Sequence, residues 1–408
     1  MARTVYSEIE GGPGLFGVLV LLALFVLGGL VSAWTMEHHG HIVTGMTNRI
    51  VWGVPHVFAV FLILAASGIL NVATIGSVFG HTAYKPMARL SGLFAIALLV
   101  GGLAILVLDL GRPDRLIVAM TTYNFKSIFA WNIFLYVGFL LVVGVYLFVQ
   151  MDRQMNRHAG KVGWFAFIWR LVLTTGTGSI FGWLVARQAY DAAVMAPLFI
   201  AMSLSFGLAI FILVVMAVFA GTGRDIGNHL LNRMARLLGI FAAVVLYFTA
   251  VQHLTNLYAA EHSGVERFLL FEGGVYTQLF WGVQVLLGGL VPIALIYAPV
   301  TGTSRIGISL ASALIILGGL AQVYVIVIGG QAYPLILFPG MEVQSGTLDG
   351  AIASYVPSLP EIGLGLGGVA LALLIAAVGM KVLRFLPTSL ADDRIDPHMR
   401  SQAVEGVS

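Results

Sequence analysis

The chain has 408 residues, of which 59% are hydrophobic and only 10% are charged, and its mean hydropathy is +0.97. Soluble globular domains carry about 25% charged residues, so this composition excludes a soluble protein and predicts one that crosses a membrane repeatedly. The net charge of +3 is small and the basic residues gather in short loops, which argues against nucleic acid and for a lipid bilayer as partner. The sequence contains no cysteine, which excludes disulfides and any iron–sulfur cluster ligated by this chain.

Ten apolar segments are long enough to span a bilayer as α-helix, which takes about 20 residues. We therefore predict an all-α integral membrane protein of about ten transmembrane helices within residues 1–382, followed by a polar cytoplasmic tail, residues 383–408. Acidic residues precede the first segment, which indicates a spanning helix and not a cleaved leader. The predicted spans are 14–34, 51–79, 90–110, 127–150, 164–186, 193–220, 237–258, 275–300, 306–329 and 360–382.

The lysine and arginine residues predict the orientation of the chain. With ten spans both termini lie on one side, and that side carries fourteen of these residues against six on the other. By the positive-inside rule both termini are cytoplasmic. Arg170, near the terminal-side end of the fifth predicted span, is expected to extend its charge toward water. The periplasmic side then carries loops 36–49, 111–126, 259–274 and 330–359, the last with Glu342 and Asp349.

Three spans each bring an ionisable side chain to within about two turns of the periplasmic surface, where such groups are usually functional. They are His56, Asp109 and His253. Asp109 ends the third span in the segment LDLGRPDR, either as a helix terminator that pairs with Arg112 or as a proton-handling carboxylate whose charge state Arg112 sets. His56 is either a neutral imidazole between helices or a hydrogen-bond donor and proton acceptor for a ligand. Trp52 suits the interfacial belt beside it.

Two further polar groups have two interpretations each. Tyr123 and Asn124 precede the fourth span, where they form either an aromatic belt with a helix cap or a phenol and an amide that face the pocket of His56 and Asp109. His253 belongs either to a helix-packing network or to a proton path that continues to Glu261.

Histidines also raise the question of a metal or haem. His38, His39 and His41 are clustered, but no second group of ligands accompanies them at suitable spacing, so we predict no metal site. A membrane cytochrome in which His56 and His253 ligate a b haem is one alternative function. A secondary transporter or proton-translocating subunit is another, although we find no clear inverted repeat.

The segment VLDLGRPDR, followed by TYNFKSIFAWN, resembles the signature of the NrfD/polysulfide reductase membrane-subunit family. Longer stretches such as HIVTGMTNRIVWGVPH and QHLTNLYAAEH resemble its DsrP branch, which belongs to the DsrMKJOP sulfur-metabolism complex. The resemblance covers essentially the whole chain. It implies NrfD-like helical bundles in the bacterial inner membrane and a quinone-reactive subunit of a respiratory or sulfur-metabolising complex. Menaquinone or ubiquinone would be the substrate, with no haem or iron–sulfur cluster in this chain.

The same resemblance implies site residues and partners. The quinone site would lie near the periplasmic end of the first four-helix bundle, with His56 and Asp109 on matching motifs and Tyr123 and Asn124 as further candidates. The chain would exchange electrons with a periplasmic, ferredoxin-like iron–sulfur subunit of the DsrO type. A multihaem cytochrome of the DsrJ type and further membrane and cytoplasmic subunits of the DsrM and DsrK types complete the predicted set. The periplasmic loops would form the docking surface.

Overall fold

The protein is a bundle of long α-helices, as its computed structural model shows for residues 4–334 and 351–395. The predicted all-α class is confirmed. Strand structure in these ranges is a single short antiparallel pair, β1 (Tyr6–Ser7) with β2 (Leu386–Pro387). The helices are α1 (Pro13–His39), α2 (Val54–Ser77), α3 (Ala88–Leu108), α4 (Leu116–Thr121), α5 (Ile128–Met151), α6 (Ala159–Ile180), α7 (Met195–Thr222), α8 (Asn228–Tyr258), α9 (Ser263–Arg267), α10 (Val275–Tyr297), α11 (Arg305–Ala332), α12 (Leu359–Val382) and α13 (Asp392–Ile395).

Nine helices in the described ranges are long and apolar enough to cross a membrane, against about ten predicted. The remaining predicted span is present as α6, which packs against α2, α5 and α7. Its sequence is less apolar because Lys161, Arg170 and the glycine- and threonine-rich stretch 174–178 dilute its aliphatic residues. The bundle therefore contains a helix at each predicted position, and α6 is the one whose hydropathy falls short of a typical spanning helix.

Arg170 does not extend toward water as predicted. Its side chain is buried in the middle of α6, where Nη2 donates to Oδ1 of Asn71 on α2 at 3.2 Å. The guanidinium also lies over the ring of Phe167 at 5.1 Å. The prediction was wrong because it placed the helix five residues too late in the chain, so a mid-helix position was taken for a helix end.

Close contacts between backbones set the packing of the bundle. α2 is its central helix and packs against α3, α6, α7 and α12. At Gly29 of α1, an added Cβ would lie 2.7 Å from Cα of Gly367 on α12, so these helices touch backbone to backbone. Small residues permit such approaches in membranes. Otherwise α1 is largely uncovered, and its apolar side chains face outward.

The chain termini meet at one end of the bundle, which we call the termini end. There β1 pairs with β2, and Leu390 forms a bridge with Ile226. The carboxylate of Asp392 accepts hydrogen bonds from the backbone nitrogens of His229 and Leu230, at 3.0 and 3.2 Å, and so caps the start of α8. Thus the first part of the polar tail is held against the bundle. Residues 396–408 lie outside the described residues.

The opposite end, which we call the Asp109 end, carries the connections on which the predicted site depends. They are residues 40–53, 109–127, 181–194, 259–274 and 351–358. Of the predicted loop at 330–359, positions 335–350, including Glu342 and Asp349, lie outside the described residues.

Candidate functional site

The Asp109 end holds a buried acid–base pair formed by the start of α2 and the end of α3. His56 lies in the first turn of α2, and Asp109 is the residue that ends α3. Nδ1 of His56 is 2.9 Å from Oδ2 of Asp109, and their side chains are 21% and 1% exposed. The two helices pack side by side, which is why residues 53 positions apart in sequence come into contact.

Both carboxylate oxygens of Asp109 are buried without a hydrogen bond from the described residues. Neither accepts a well-aligned hydrogen bond from any described residue, and Nδ1 of His56 is close but misdirected for one. A buried carboxylate is costly unless it is paired and hydrogen-bonded. The short distance therefore identifies His56 as the partner of Asp109.

Arg112 has a different partner from the one predicted. Its Nε and Nη2 donate to the two carboxylate oxygens of Asp114, each at 3.1 Å, and both side chains are well exposed. This guanidinium holds the pKa of Asp114 below its usual value. Among the described residues Arg112 thus contacts Asp114, whereas Asp109 contacts His56.

Aromatic rings surround the accessible side of His56. Trp52 stacks beside the imidazole, with centroids 6.0 Å apart and planes at 27°. Its indole also stacks with Tyr190 at 6.1 Å and meets Phe129 and Phe181 edge-on at 5.9 and 5.8 Å. We call these rings the Trp52 box. Stacked aromatic faces can hold a planar ring against the imidazole.

The backbone that carries Trp52 is fixed by two side chains that the sequence analysis did not single out. Oε1 of Gln331 accepts from the nitrogens of Val51 and Trp52, at 2.9 and 3.1 Å, and its Nε2 donates to the oxygen of Trp52 at 3.0 Å. Arg187 then bridges two segments, since it donates to the backbone oxygens of Gln331 and Arg49 at 2.8 and 2.7 Å. Trp52 therefore sits on a preorganised loop.

A second buried carboxylate ties this loop to α12. Glu361 is fully buried and accepts from the hydroxyl of Tyr355 at 2.6 Å and from the nitrogens of Gly45 and Ser358, both at 2.8 Å. The hydroxyl of Tyr355 in turn accepts from the nitrogen of Val54 at 2.8 Å. Burial and the Glu361 charge raise the pKa of Tyr355, so its phenol stays protonated and can donate.

We expect Glu361→Ala to lower the free energy of unfolding by about 3 kcal/mol, because it leaves the buried hydroxyl of Tyr355 and two part-buried backbone nitrogens without their acceptor. Thermal unfolding of the purified protein in detergent measures the change. Glu37→Ala, which removes an exposed carboxylate at the same end, is the matched control. Equal unfolding temperatures for the two variants would contradict a structural role for Glu361.

Tyr123 and Asn124 lie apart from the His56–Asp109 pair. Tyr123 stacks on Phe134 of α5 with centroids 4.3 Å apart. Asn124 is exposed, and its Oδ1 accepts from the nitrogen of Lys126 at 3.0 Å in the turn before α5. Across residues 4–334 and 351–395, neither side chain hydrogen-bonds or stacks with His56 or Asp109. Their geometry matches the aromatic-belt and turn interpretation.

His253 forms a second buried acid–base pair, with a partner that the sequence analysis missed. Nδ1 of His253 is 2.6 Å from Oε2 of Glu266 on α9, and Nδ2 of Asn256 donates to Oε1 of Glu266 at 2.8 Å. The Glu266 side chain is 1% exposed. Glu261, the predicted continuation, is 76% exposed and lies 3.6 Å from His262. The carboxylate next to His253 is thus Glu266.

Buried polar side chains extend from this second pair into the bundle. Thr249, Gln252, Gln284 and Gln322 line the same small cavity as His253 and Glu266. Nε2 of Gln322 donates to Oγ1 of Thr249 at 3.1 Å. The space available to water centres is about 20 Å³, which is enough for about one ordered water. Polar side chains and room for about one water thus continue from the His253–Glu266 pair into the bundle.

The described part of the protein shows no arrangement of side chains that would support a metal or haem site. No three histidine or acidic side chains there are grouped as a metal site. His38 instead stacks on Trp34 at 5.0 Å and meets His39 edge-on at 5.1 Å. Nδ1 of His56 and Nδ1 of His253 each lie within 3 Å of a separate carboxylate, and α7 packs against both α2 and α8.

Comparison with known proteins gives a family match and full-length relatives. The family model described as Polysulphide reductase, NrfD matches residues 42–334. The chain is 28% identical to the Hdr-like menaquinol oxidoreductase integral membrane subunit of Archaeoglobus fulgidus, over 96% of this chain and 99% of the relative. The chain is 29% identical to a putative dimethyl sulfoxide reductase membrane subunit of Halobacterium salinarum, over 93% of this chain and 92% of the relative. The chain is 24% identical to a polysulfide reductase chain of Wolinella succinogenes, over 70% of this chain and 96% of the relative.

Proposed function

This chain belongs to the polysulphide reductase NrfD family, and we propose that it is the quinone- or quinol-reactive membrane subunit of an electron-transfer complex. The observation that carries the proposal is the buried His56–Asp109 pair beside the Trp52 box. It supplies a proton acceptor, a carboxylate and a stacking surface at one end of the bundle. A relative named as a menaquinol oxidoreductase subunit supports the same substrate class.

His56 would exchange protons with the substrate through Nε2. That nitrogen has no partner among the described residues and is accessible, whereas Nδ1 is buried against Asp109. In quinol oxidation Nε2 accepts a hydroxyl proton as an electron leaves the ring, and Asp109 stabilises the imidazolium. The proton then passes from Nδ1 through Asp109 to water at the loop. In quinone reduction the same imidazolium donates from Nε2.

The complete reaction moves two electrons and two protons. The electrons leave to, or arrive from, an iron–sulfur partner subunit. The second oxygen of the ring exchanges its proton with water, and Trp52 holds the ring plane. Arg112, Tyr123 and Asn124 keep a secondary place in the proposal, as residues of the connection 109–127 that begins with Asp109.

The orientation and the partners are part of the same proposal. The charge asymmetry of the loops supports cytoplasmic termini and a periplasmic Asp109 end in the inner membrane of a bacterium. The sequence resemblance supports the narrower assignment to the DsrP branch, with the DsrO-, DsrJ-, DsrM- and DsrK-type subunits as partners. The iron–sulfur subunit would dock on the Asp109 end, nearest the acid–base pair.

Photoaffinity labelling with an azidoquinone tests the location of the site. We expect the label in the first turn of α2 and in the preceding loop, residues 49–56, and competition by unlabelled menaquinol. Labelling confined to other helices would refute the assignment. A reduced-minus-oxidised visible spectrum of the purified protein tests the b-haem alternative, which predicts an α-band.

The His253–Glu266 pair is proposed as a secondary proton route, in place of a route through Glu261. We expect Glu266→Gln to slow the proton release that accompanies quinol oxidation by about tenfold, less than loss of a catalytic acid–base group. A pH-sensitive dye in proteoliposomes of the assembled complex measures it. Glu261→Gln makes the same chemical change on an exposed side chain, and proton release by this variant should equal that of wild type. The opposite ranking of the two variants would contradict this route.

A further inference from the structure

A cleft at the termini end is lined by hydrogen-bond donors and by no carboxylate among the described residues. It lies among the end of α2, the start of α3, the end of α5 and the start of α6, and its volume is about 320 Å³. Its polar lining consists of Tyr6, Ser77, Lys85, Arg89, Gln150 and Asn156. Two full positive charges without an acid in the lining favour an anionic occupant.

Two donors of the cleft, one buried and one exposed, bond to none of the described residues. Gln150 is 7% exposed, and its buried Nε2 lacks a partner among the described residues. Its backbone oxygen, by contrast, accepts from Arg89 and Asn156 at 2.8 and 3.1 Å. Nζ of Lys85 likewise bonds to no residue in the described ranges. A buried amide donor costs free energy if it stays unpaired, so its position points to an acceptor supplied by a ligand.

Arg89 is fixed in position at the cleft, where its positive charge also favours an anionic occupant. Its guanidinium lies over the ring of Tyr6 at 4.1 Å and donates to the backbone oxygens of Gln150 and Arg384, at 2.8 and 3.3 Å. α6 begins at the cleft with no side-chain cap. The positive end of its helix dipole therefore adds to the field.

Two half-exposed aromatic side chains lie close in sequence to lining residues of the cleft. Phe79 follows Ser77 by two residues, and Trp164 lies one turn beyond Gly160 of the lining. Their rings are 6.1 Å apart, and about half of each side chain is exposed. Aromatic rings at this depth mark the boundary between headgroups and acyl chains. The combination suits a lipid better than a free ion.

We propose that this cleft binds the phosphate of an anionic phospholipid, with Lys85, Arg89 and the amide of Gln150 as its donors and the acyl chains along Phe79 and Trp164. Basic pockets between transmembrane helices bind such headgroups. The inference is independent of the quinone site, which lies at the other end of the bundle.

Lipid retention in nanodiscs tests the proposal. The full-length protein is reconstituted in phosphatidylcholine with a minor fraction of phosphatidylglycerol, and retained lipids are counted by native mass spectrometry. Wild type should retain phosphatidylglycerol, and Lys85→Gln should weaken retention about fivefold, the value of one charge near a headgroup. Gln150→Leu should weaken it as well. Arg153→Gln removes the same charge from an exposed turn at the same end, outside the cleft, and should behave as wild type.

Two results would overturn the inference. Equal retention by wild type and Lys85→Gln would show that the cleft holds no anionic lipid. Displacement of the lipid by inorganic phosphate at equal concentration would indicate a site for soluble anions. Because Lys85 is exposed, its variant keeps the test valid even if Gln150→Leu fails to fold.

Discussion

Asp109→Asn is expected to lower quinol-linked turnover of the assembled complex by at least about a hundredfold, within the range that positioned acid–base groups contribute. The amide cannot stabilise an imidazolium at His56 or accept the proton from Nδ1, which lies 2.9 Å away. The loss should appear in kcat with little change in KM, because the Trp52 box that would hold the ring stays intact.

The matched control for this change is Asp114→Asn. Asp114 is five residues further along the sequence, exposed, and paired with Arg112, so its variant should keep turnover close to wild type. His56→Ala should be as damaging as Asp109→Asn, and the double variant no worse than either, because groups that act as a unit are non-additive. Unchanged turnover in both single variants would place the site elsewhere.

The sequence predicted the helices well because a bilayer imposes one length and one composition on every span. α8 begins nine residues before its predicted start, but the largest shift of a whole helix is at α6, where the predicted residues 181–186 are not helical. They are apolar for another reason, since Phe181 packs against Trp52 in the Trp52 box. An apolar connection that covers a site cannot be told from a span by hydropathy alone.

The end of the bundle at which each of these side chains lies was predictable, but the neighbour that each side chain faces was not. Helix polarity placed His56, Asp109 and His253 near one surface. The rotation of each helix decides which side chains meet, and one sequence does not reveal it. Thus Asp109 was assigned to the nearby Arg112, whereas the bundle turns it toward His56, 53 positions away.

The sequence did not reveal the two side chains that fix the loop before α2, for a related reason. Gln331 and Glu361 act on residues about 280 and 316 positions away in the sequence. In the sequence each is a single polar residue at the end of an apolar run. Their roles arise only when the ends of α2, α11 and α12 are brought together.

That convergence depends on how closely α2 approaches α7, and a single methyl group should disrupt it. At Gly68 of α2 an added Cβ would overlap the backbone oxygen of Ser203 on α7. At Gly207 of α7 it would overlap the backbone nitrogen of Ile69. Both obstacles are backbone atoms, so no side-chain rotation can relieve the overlap and the helices must separate.

We expect Gly68→Ala to destabilise the protein by more than about 3 kcal/mol, beyond the usual cost of overpacking, because the clash is with backbone on both sides of the crossing. Gly144→Ala is the control, since a Cβ there meets no atom within 4 Å and alanine favours a helix by about 1 kcal/mol. The measurements are monodisperse yield and thermal unfolding in detergent.

Since α2 also carries His56, surviving Gly68→Ala protein should show weakened quinone labelling, whereas Gly144→Ala should label as wild type. Equal stability of the two variants would mean that α2 and α7 do not cross this closely, and the bundle would then lack the rigid helix that holds His56 against Asp109.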